Sequence, residues 1–369
     1  MTTGSERIIR DDIRAMSAYP VPSAAGLIKL DAMENPYPLP AALRRAVAED
    51  LAACEMNRYP DPTAPALKSC LREAMGIPQD MDILLGNGSD EIIQMIVQAC
   101  ARPGAVVMAP VPTFVMYRNY ATIAGVRFVG VPLKGDFSLD VEAFLSEIRA
   151  HRPAVVFLSH PNNPTGNLFS TEAMLSILDA APGLVVIDEA YQPFAQTSWL
   201  DKLPGFPNVI LLRTMSKLGL AGIRLGYAVG RPDWLSEIDK VRSPYNVNAL
   251  TQCAAERILR SHEVLDAQAA DIRASRDLLS ARLAAIPGLT PFPSSANFIL
   301  VRVPDAPLLF SGLCKHGVLI KNLHGAHPLL EHCVRVTVGT PDENSSLLES
   351  IAAVLTAVPN GATVRDRVV

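Results

Sequence analysis

Short apolar runs alternate with amphipathic segments between residues 82 and 229, and this alternation constrains the fold more than any other feature. The runs are rich in Val, Ile and Leu, as strands buried on both faces of a sheet are. Such strands, separated by helices, predict an α/β fold with a mostly parallel sheet sandwiched between helices. Ligands of these sheets bind beyond the carboxyl ends of the strands. The predicted strands are residues 105–109, 127–131, 154–159, 184–187, 209–212 and 225–229.

The rest of the chain indicates a second, smaller domain. Residues 1–40 are predicted to form an irregular arm rich in proline, and residues 41–265 the large domain. A helical stretch over 250–285 leads into residues 266–358, where shorter strands and helices predict a small α/β domain that also includes part of the N-terminal segment. Residues 359–369 are polar without periodicity, so we expect a frayed tail.

Composition excludes several classes of protein. The 369 residues carry a formal charge of −4 without a basic run, which argues against a nucleic-acid partner. No apolar stretch reaches the roughly 20 residues that span a bilayer, and the first ten residues lack the apolar core of a signal peptide. The six scattered cysteines are typical of reduced thiols in a cytoplasm. A mean hydropathy of +0.21 suggests an additional apolar surface, such as a subunit interface.

Three histidines, His324, His327 and His332, cluster loosely in the sequence. No second ligand cluster or local set of acidic partners accompanies them, so we expect no metal site.

Two polar side chains follow apolar runs and carry the chemistry. Asp188 ends the run at 184–187, and Lys217 follows the run at 209–212. A lysine can form a Schiff base with an aldehyde, and a buried aspartate can keep a pyridine nitrogen protonated. A lone lysine would be read as a surface cation, and an arginine partner for Asp188 is an open alternative. In combination the two residues predict a pyridoxal 5′-phosphate (PLP) enzyme.

A glycine-rich turn at residues 86–91 opens a helix and offers backbone N–H groups to an anion. The full Gly-x-Gly-x-x-Gly pattern is missing at this turn, so a nicotinamide site fits less well. The serine and arginine near Lys217 can add charge-assisted hydrogen bonds to a phosphate. The predicted phosphate cup comprises Gly88, Ser89, Asp90, Thr214, Ser216 and Arg224.

A loop at residues 159–166 follows another strand and is fixed by two prolines and a glycine. Asn163, next to Pro164, is the candidate donor to a phenolic oxygen of the cofactor. We interpret Asn162 as a structural residue that forms an Asx turn. Tyr191 can share the phenolic oxygen with Asn163.

The ordered motifs Gly-Asn-Gly-Ser-Asp-Glu, Asn-Asn-Pro-Thr-Gly, Asp-Glu-Ala-Tyr and Ser-Lys-x-x-x-Ala-Gly-x-Arg resemble those of fold-type I PLP-dependent aminotransferases over nearly the whole chain. Within that group, the chain is most similar to the histidinol-phosphate aminotransferase family. This narrower resemblance rests on residues 34–37, 57–61, 295–298 and 335–344.

The resemblance implies roles for the cofactor residues. Lys217 forms the Schiff base and moves the proton, Asp188 pairs with the pyridine nitrogen, and Asn163 and Tyr191 bond the phenolic oxygen. Phe114 stacks on the ring, where the family often has tyrosine. Tyr59 reaches the cofactor phosphate of the other subunit, which implies a homodimer.

The resemblance also implies a substrate site. Arg335 holds the α-carboxylate of glutamate, and Asn297 orients Arg335 or the substrate, with a structural hydrogen bond as the alternative. Tyr19 lies near the substrate phosphate or packs the arm. Lys321 stands where many relatives have arginine, which keeps the charge but loses bidentate geometry. Met33 replaces an asparagine common in the arm motif.

The implied reaction is transamination between L-histidinol phosphate and 2-oxoglutarate, giving imidazole acetol phosphate and glutamate in histidine biosynthesis. Two alternatives use the same scaffold: an aromatic or broad-range aminotransferase, and a phosphothreonine-type decarboxylase. A non-catalytic PLP-binding protein fits less well, because the lysine, the aspartate and the substrate arginine are all present. Substrate breadth, kinetics and the motion of the arm are not encoded in these motifs.

Overall fold

The computed structural model describes residues 4, 8–18 and 20–356 of the chain. The predicted Tyr19 contact and the predicted frayed tail lie outside these residues. The strands are β1 (Ile28–Lys29), β2 (Asp82–Asn87), β3 (Val106–Val111), β4 (Arg127–Pro132), β5 (Val155–Ser159), β6 (Leu184–Asp188), β7 (Val209–Thr214), β8 (Leu225–Gly230), β9 (Thr290–Pro291), β10 (Phe298–Arg302), β11 (Val318–Leu319), β12 (Lys321–Asn322) and β13 (Cys333–Thr337).

The helices pack around these strands. They are α1 (Asp11–Arg14), α2 (Ala41–Ala52), α3 (Pro65–Met75), α4 (Ser89–Cys100), α5 (Met116–Ile123), α6 (Val141–His151), α7 (Thr171–Ala180), α8 (Gln192–Ala195), α9 (Pro232–Asp239), α10 (Ala249–Leu259), α11 (Glu263–Ala284), α12 (Ala306–Lys315) and α13 (Pro341–Thr356). None of these described helices is long and apolar enough to cross a membrane.

The largest sheet has seven strands in the order β2-β8-β7-β6-β5-β3-β4. The pairs among β4, β3, β5, β6 and β7 are parallel, whereas β8 runs antiparallel to both β7 and β2. The sheet is buried on both faces: in β6, Val185 and Ile187 pack into one apolar core, while Leu184 and Val186 pack into the other. The predicted mostly parallel α/β sheet is therefore confirmed.

A second, antiparallel sheet has the order β12-β13-β10-β9. The arm contributes β1, which pairs in parallel with β11. A third apolar core lies here, and α11 contributes to it through Leu279 and Leu283 while Leu265 and Ala269 pack into the core of the large sheet. Helix α11 crosses the predicted domain boundary between residues 265 and 266, and it packs into both cores. The division into domains stays a prediction.

One local expectation needs adjustment. The helical stretch predicted over 250–285 is interrupted between α10 and α11. The interruption lets the buried face of α10 pack on α2 and α3, while α11 follows a separate path toward the second sheet. Helical propensity does not report such a change of direction, because tertiary packing decides it.

Candidate active site

Strand β8 is antiparallel to both of its neighbours, β2 and β7. The residues that follow β2 and β7 therefore lie at the same edge of the sheet. Chain segments leaving β6 and β7 emerge at the carboxyl edge, and β2 runs in the same direction because it too is antiparallel to β8. Arg224 precedes β8 and so lies at this same edge. The predicted motifs therefore converge although they are far apart in sequence.

A cavity of about 410 Å³ opens at this edge. Most of the residues predicted from sequence line it: Ser89, Asp90, Phe114, Asn163, Asp188, Tyr191, Thr214, Ser216, Lys217, Arg224, Lys321 and Arg335. Gly88, Asn297 and Tyr59 are not among its lining residues. The arm lines one side through Pro20, Val21 and Pro22.

Lys217 lies in a π-helical turn, Ser216–Leu220, that directly follows β7. Gly219 has φ of +112°, a conformation that L side chains rarely adopt, and it lets this turn close. The Nζ atom donates a 3.0 Å hydrogen bond to the carbonyl of Ala32 in the arm. Burial, followed by the charge of Arg335, lowers the pKa of Lys217 to about 8. Its amine therefore loses its proton more readily than that of an exposed lysine.

Asp188 is buried at the end of β6, where it is only 3% exposed. The hydroxyl of Tyr117 donates to its Oδ2 at 2.6 Å, and the backbone N–H of Ala190 donates to its Oδ1 at 3.0 Å. Burial raises the pKa of Asp188 to about 6, against the lowering effect of these two hydrogen bonds. Arg213, an available arginine partner, instead pairs with Glu189 at 2.8 Å. The carboxylate of Asp188 therefore faces the cavity as the natural partner of a cationic ring nitrogen.

The residues of the predicted phosphate cup lie together near the start of α4, and their binding of a phosphate stays a prediction. Arg224 donates from Nη1 to the hydroxyl of Ser216 at 3.2 Å, and its Nη2 lies 3.7 Å from Asp90 Oδ2. Burial raises the pKa of Asp90, and the charge of Arg224 opposes this rise. Gly88 has φ of +84°, and a Cβ there would lie 2.5 Å from Arg224 Nη2. The glycine is needed because the guanidinium passes directly over the backbone.

The opposite wall carries the predicted substrate residues. Arg335 donates from Nη1 to Asn163 Oδ1 at 2.6 Å and from Nη2 to the carbonyl of Asp31 at 2.9 Å. Asn163 in turn donates from Nδ2 to the hydroxyl of Tyr191 at 3.2 Å. Lys321 is the cross-strand partner of Arg335 between β12 and β13. Two cations therefore face the cavity from adjacent strands.

Three further residues have more distant positions. Asn297 is fully buried and donates to the carbonyl of Met33 at 2.9 Å, so it supports the arm behind Arg335. Tyr59 is 80% exposed and stacks on Tyr245 with ring centroids 4.4 Å apart. Their substrate and cofactor roles stay predictions. Asn162 bonds Thr113, Pro112 and Thr165, as a structural residue of the loop does.

Sequence reasoning missed Tyr117 and Asp31. Tyr117 lies in α5, fully buried and stacked on Phe157 at 4.5 Å, so in the sequence it resembles an ordinary core aromatic. Its position three residues after Phe114, in the first turn of the helix that follows, was the available signal. Asp31 lines the cavity with its Oδ1 buried and without a hydrogen-bond partner. It lies in the arm, whose approach to the cavity only tertiary structure reveals.

The residues present fit PLP. The buried carboxylate of Asp188 suits a ring nitrogen, the α4 N-terminus with Ser216 and Arg224 suits a phosphate, and Lys217 lies between them with a lowered pKa. An α/β fold with this combination defines the class of fold-type I PLP-dependent enzymes.

The family follows from comparison with known proteins. A family model described as aminotransferase class I and II matches residues 25–351, and the chain belongs to this family. It is 57% identical over 358 residues to histidinol-phosphate aminotransferase 1 of Ralstonia nicotianae, covering 96% of each protein. It is 58% identical over 356 residues to histidinol-phosphate aminotransferase 1 of Burkholderia lata, covering 96% of this chain and 99% of the relative. The crystal structure of histidinol-phosphate aminotransferase from Sinorhizobium meliloti in complex with PLP superposes with a TM-score of 0.85 at 26% identity, over 95% of this chain and 98% of that one.

Proposed function

We propose that this chain is a PLP-dependent enzyme that transfers an amino group between L-histidinol phosphate and 2-oxoglutarate, giving imidazole acetol phosphate and glutamate in histidine biosynthesis. The observation that carries the proposal is the pairing of Lys321 with Arg335 on the cavity wall. A transaminase of this kind must hold a carboxylate in one half-reaction and a phosphate monoester in the other, and two adjacent cations suit both anions. The near-full-length similarity to histidinol-phosphate aminotransferases supports the same assignment.

PLP, when bound, supplies an aldehyde that takes up the amino group and a protonated ring that withdraws electrons from the reacting carbon. Lys217 would hold this aldehyde covalently. With a pKa lowered to about 8, its amine is also suited to accept a proton from the reacting carbon of the substrate and to return it. The carbonyl of Ala32, 3.0 Å from Nζ, helps to hold this amine in place.

The other residues hold the ring. Asp188 keeps a proton on the ring nitrogen, because a buried carboxylate gains most from a cationic partner. Phe114 would stack on the ring, and Tyr191 and Asn163 would donate to the phenolic oxygen. Ser216 and Arg224, with the N–H groups that open α4, bind the cofactor phosphate.

The substrate anions bind on the opposite wall. Arg335 binds the carboxylate of glutamate, and Lys321 binds the phosphate of histidinol phosphate. Asn163 accepts a hydrogen bond from Arg335 at 2.6 Å. This bond links the guanidinium that binds the substrate to the amide of Asn163, which contacts the cofactor. Pro20, Val21 and Pro22 of the arm line this side of the cavity.

A homodimer completes the site in this proposal, with Tyr59 reaching the cofactor phosphate of the partner subunit. Tyr59 is 80% exposed, and Met56 nearby in the sequence is 72% exposed. Large apolar side chains exposed together suit an interface better than solvent. We also propose a cytoplasmic location, because all six cysteines are free thiols, which a reducing compartment maintains.

A panel of amino donors tests the function. The purified protein is mixed with histidinol phosphate, glutamate, phenylalanine or phosphothreonine, and the absorbance of the bound cofactor is followed before 2-oxoglutarate is added to measure turnover. We expect conversion with histidinol phosphate and glutamate and turnover of histidinol phosphate.

The other outcomes separate the alternatives. Equal or faster turnover of phenylalanine would favour an aromatic or broad-range aminotransferase. Release of carbon dioxide from phosphothreonine would favour a decarboxylase. Absence of conversion with every donor would favour a non-catalytic PLP-binding protein.

A further inference from the structure

Two histidines and a glutamate meet at the base of the loop that joins β12 to β13. His324, Glu331 and His332 each present one ligand atom, and these atoms lie within 4.8 Å of one another. The sequence offered no acidic partner set for these histidines, and the fold provides one by bringing Glu331 within 3.1 Å of His324 Nδ1. These residues take no part in the proposed transamination.

The β-ladder fixes the relative position of the two histidines. Asn322 pairs with Val334, and the N–H of Leu323 donates to the carbonyl of Cys333 at 3.0 Å. His324 and His332 are therefore the next two residues across the hairpin, and their rings lie 5.0 Å apart. Side chains at directly opposite positions have Cβ atoms about 4.5–5.5 Å apart, which allows both to reach one ion.

The conformation of His332 brings Glu331 into the cluster. His332 has φ of +58°, in the left-handed region that few residues other than glycine adopt. Such conformations persist where the surrounding structure holds them, often at ligand sites. The buried side chains of Leu330 and Cys333 hold the chain on both sides of this pair.

Contacts within the cluster hold the imidazole of His324 beside the carboxylate of Glu331. The N–H of His332 donates to Nδ1 of His324 at 3.1 Å, and Glu331 Oε2 lies 3.1 Å from the same nitrogen.

The spacing fits a tetrahedral ion. Bonds of about 2.0–2.1 Å from zinc to nitrogen or oxygen place neighbouring ligand atoms about 3.3 Å apart. The separation of 3.1 Å between His324 Nδ1 and Glu331 Oε2 is already close to this value. Rotation of these side chains, which lie at the surface, brings the remaining distances into range. Two imidazoles and one carboxylate favour Zn²⁺ over Mg²⁺, which prefers oxygen ligands.

We infer that His324, Glu331 and His332 form a binding site for a transition-metal ion such as Zn²⁺, with water as the fourth ligand. The site joins the two strands of the hairpin three residues after Lys321 and three residues before Arg335. A bound ion therefore restrains the hairpin that presents both of these cations to the cavity.

Calorimetric titration of the PLP-loaded protein with Zn²⁺, and separately with Mg²⁺, tests this inference. We expect one Zn²⁺ per chain, with far weaker binding of Mg²⁺. Loss of a residue that only supports a metal ligand costs about 10–100-fold in affinity, so His332→Ala and His324→Ala should each weaken Zn²⁺ binding at least about tenfold. Glu331→Gln keeps the shape of the side chain and should also weaken binding. The matched control is His316→Ala, which removes an exposed histidine outside the cluster.

Hydrogen exchange gives a second measurement that does not depend on the variants. Zn²⁺ should slow amide exchange in residues 323–332 of the wild-type protein and leave the α4 region unchanged. The inference fails if Zn²⁺ binds the wild type and the His324→Ala/His332→Ala double variant equally well, which would indicate an adventitious ion only. It also fails if Zn²⁺ does not saturate the protein, or if the loop exchanges at the same rate with and without it.

Discussion

The hydroxyl of Tyr117 donates a 2.6 Å hydrogen bond to Oδ2 of Asp188, and both side chains are buried. The ring of Tyr117 stacks on the parallel ring of Phe157, with centroids 4.5 Å apart. It also makes an edge contact with the ring of Phe114, with centroids 5.6 Å apart. The pKa of Tyr117 is raised well above its ordinary value, first by burial and then by the Asp188 charge, so it stays a donor. Tyr117 therefore positions the carboxylate of Asp188, which in the proposed function faces the ring nitrogen.

Tyr117→Phe should alter the protonation of the cofactor. The hydrogen bond from Tyr117 lowers the pKa of Asp188, so its loss raises this pKa further above about 6. The carboxylate then competes better for the proton of the ring nitrogen. We expect the pH titration of the cofactor absorbance to shift and turnover to fall about 10–100-fold, as for other residues that support a ligand-binding group.

Tyr227→Phe is the matched control for this variant. It removes another buried tyrosine hydroxyl, on β8, which interacts with Arg213 rather than with Asp188. Stability should fall in both variants, whereas the absorbance titration should shift only in Tyr117→Phe. Identical titrations in the two variants would assign Tyr117 a purely structural role.

Gly88→Ala should weaken binding of the cofactor phosphate. The new Cβ would lie 2.5 Å from Arg224 Nη2, so the guanidinium must move away from Ser216. Loss of one charge-assisted hydrogen bond of about 1.5–3 kcal/mol should raise the dissociation constant of PLP about 10–100-fold, measured by quenching of protein fluorescence. Gly104→Ala controls for backbone strain, because Gly104 has φ of +79° but open space around its Cβ position. An equal loss of PLP affinity in both variants would mean that backbone strain alone causes the loss.

Lys321→Met should separate phosphate recognition from the rest of substrate binding. We expect KM for histidinol phosphate to rise about 10–100-fold, since one charge-assisted contact is lost. The KM for L-histidinol, which lacks the phosphate, should change little, and Lys315→Met on the exposed end of α12 should leave both values unchanged. A similar rise for both substrates would argue against a phosphate contact at Lys321.

Lys217→Met should stabilise the cofactor-free protein in a pH-dependent manner. Folding lowers the pKa of Lys217 from 10.5 to about 8, so between these values the unfolded chain binds more protons and stability rises with pH. Below about pH 8 the full cost of burying the cation is present. Urea unfolding should therefore show a gain in free energy of unfolding for Lys217→Met at pH 7 that shrinks toward pH 10. Lys240→Met, at an exposed lysine, should show no such trend, and a constant difference for Lys217→Met would contradict the lowered pKa.

The sequence predicted the large sheet well because its strands are continuous apolar runs. The predicted strand at 184–187 corresponds to β6 and the one at 209–212 to β7, each within a few residues. Motifs placed at their carboxyl ends had to meet at one edge, so Asp188 and Lys217 could be brought together without coordinates. The short strands of the arm and the small domain were harder: β1 has two residues, and its pairing with β11 depends on a neighbour almost 300 residues away.

The sequence by itself determined the chemistry of the site, because the lysine, the carboxylate, the phosphate-binding turn and the order of the strands that carry them are local features. Only the tertiary structure decided what surrounds these groups. It placed Tyr117 behind Asp188, brought Ala32 to Lys217, and turned Glu331 toward His324 and His332. The physical reason is that proton affinity and ligand geometry depend on burial and on contacts between distant segments, which no local pattern encodes.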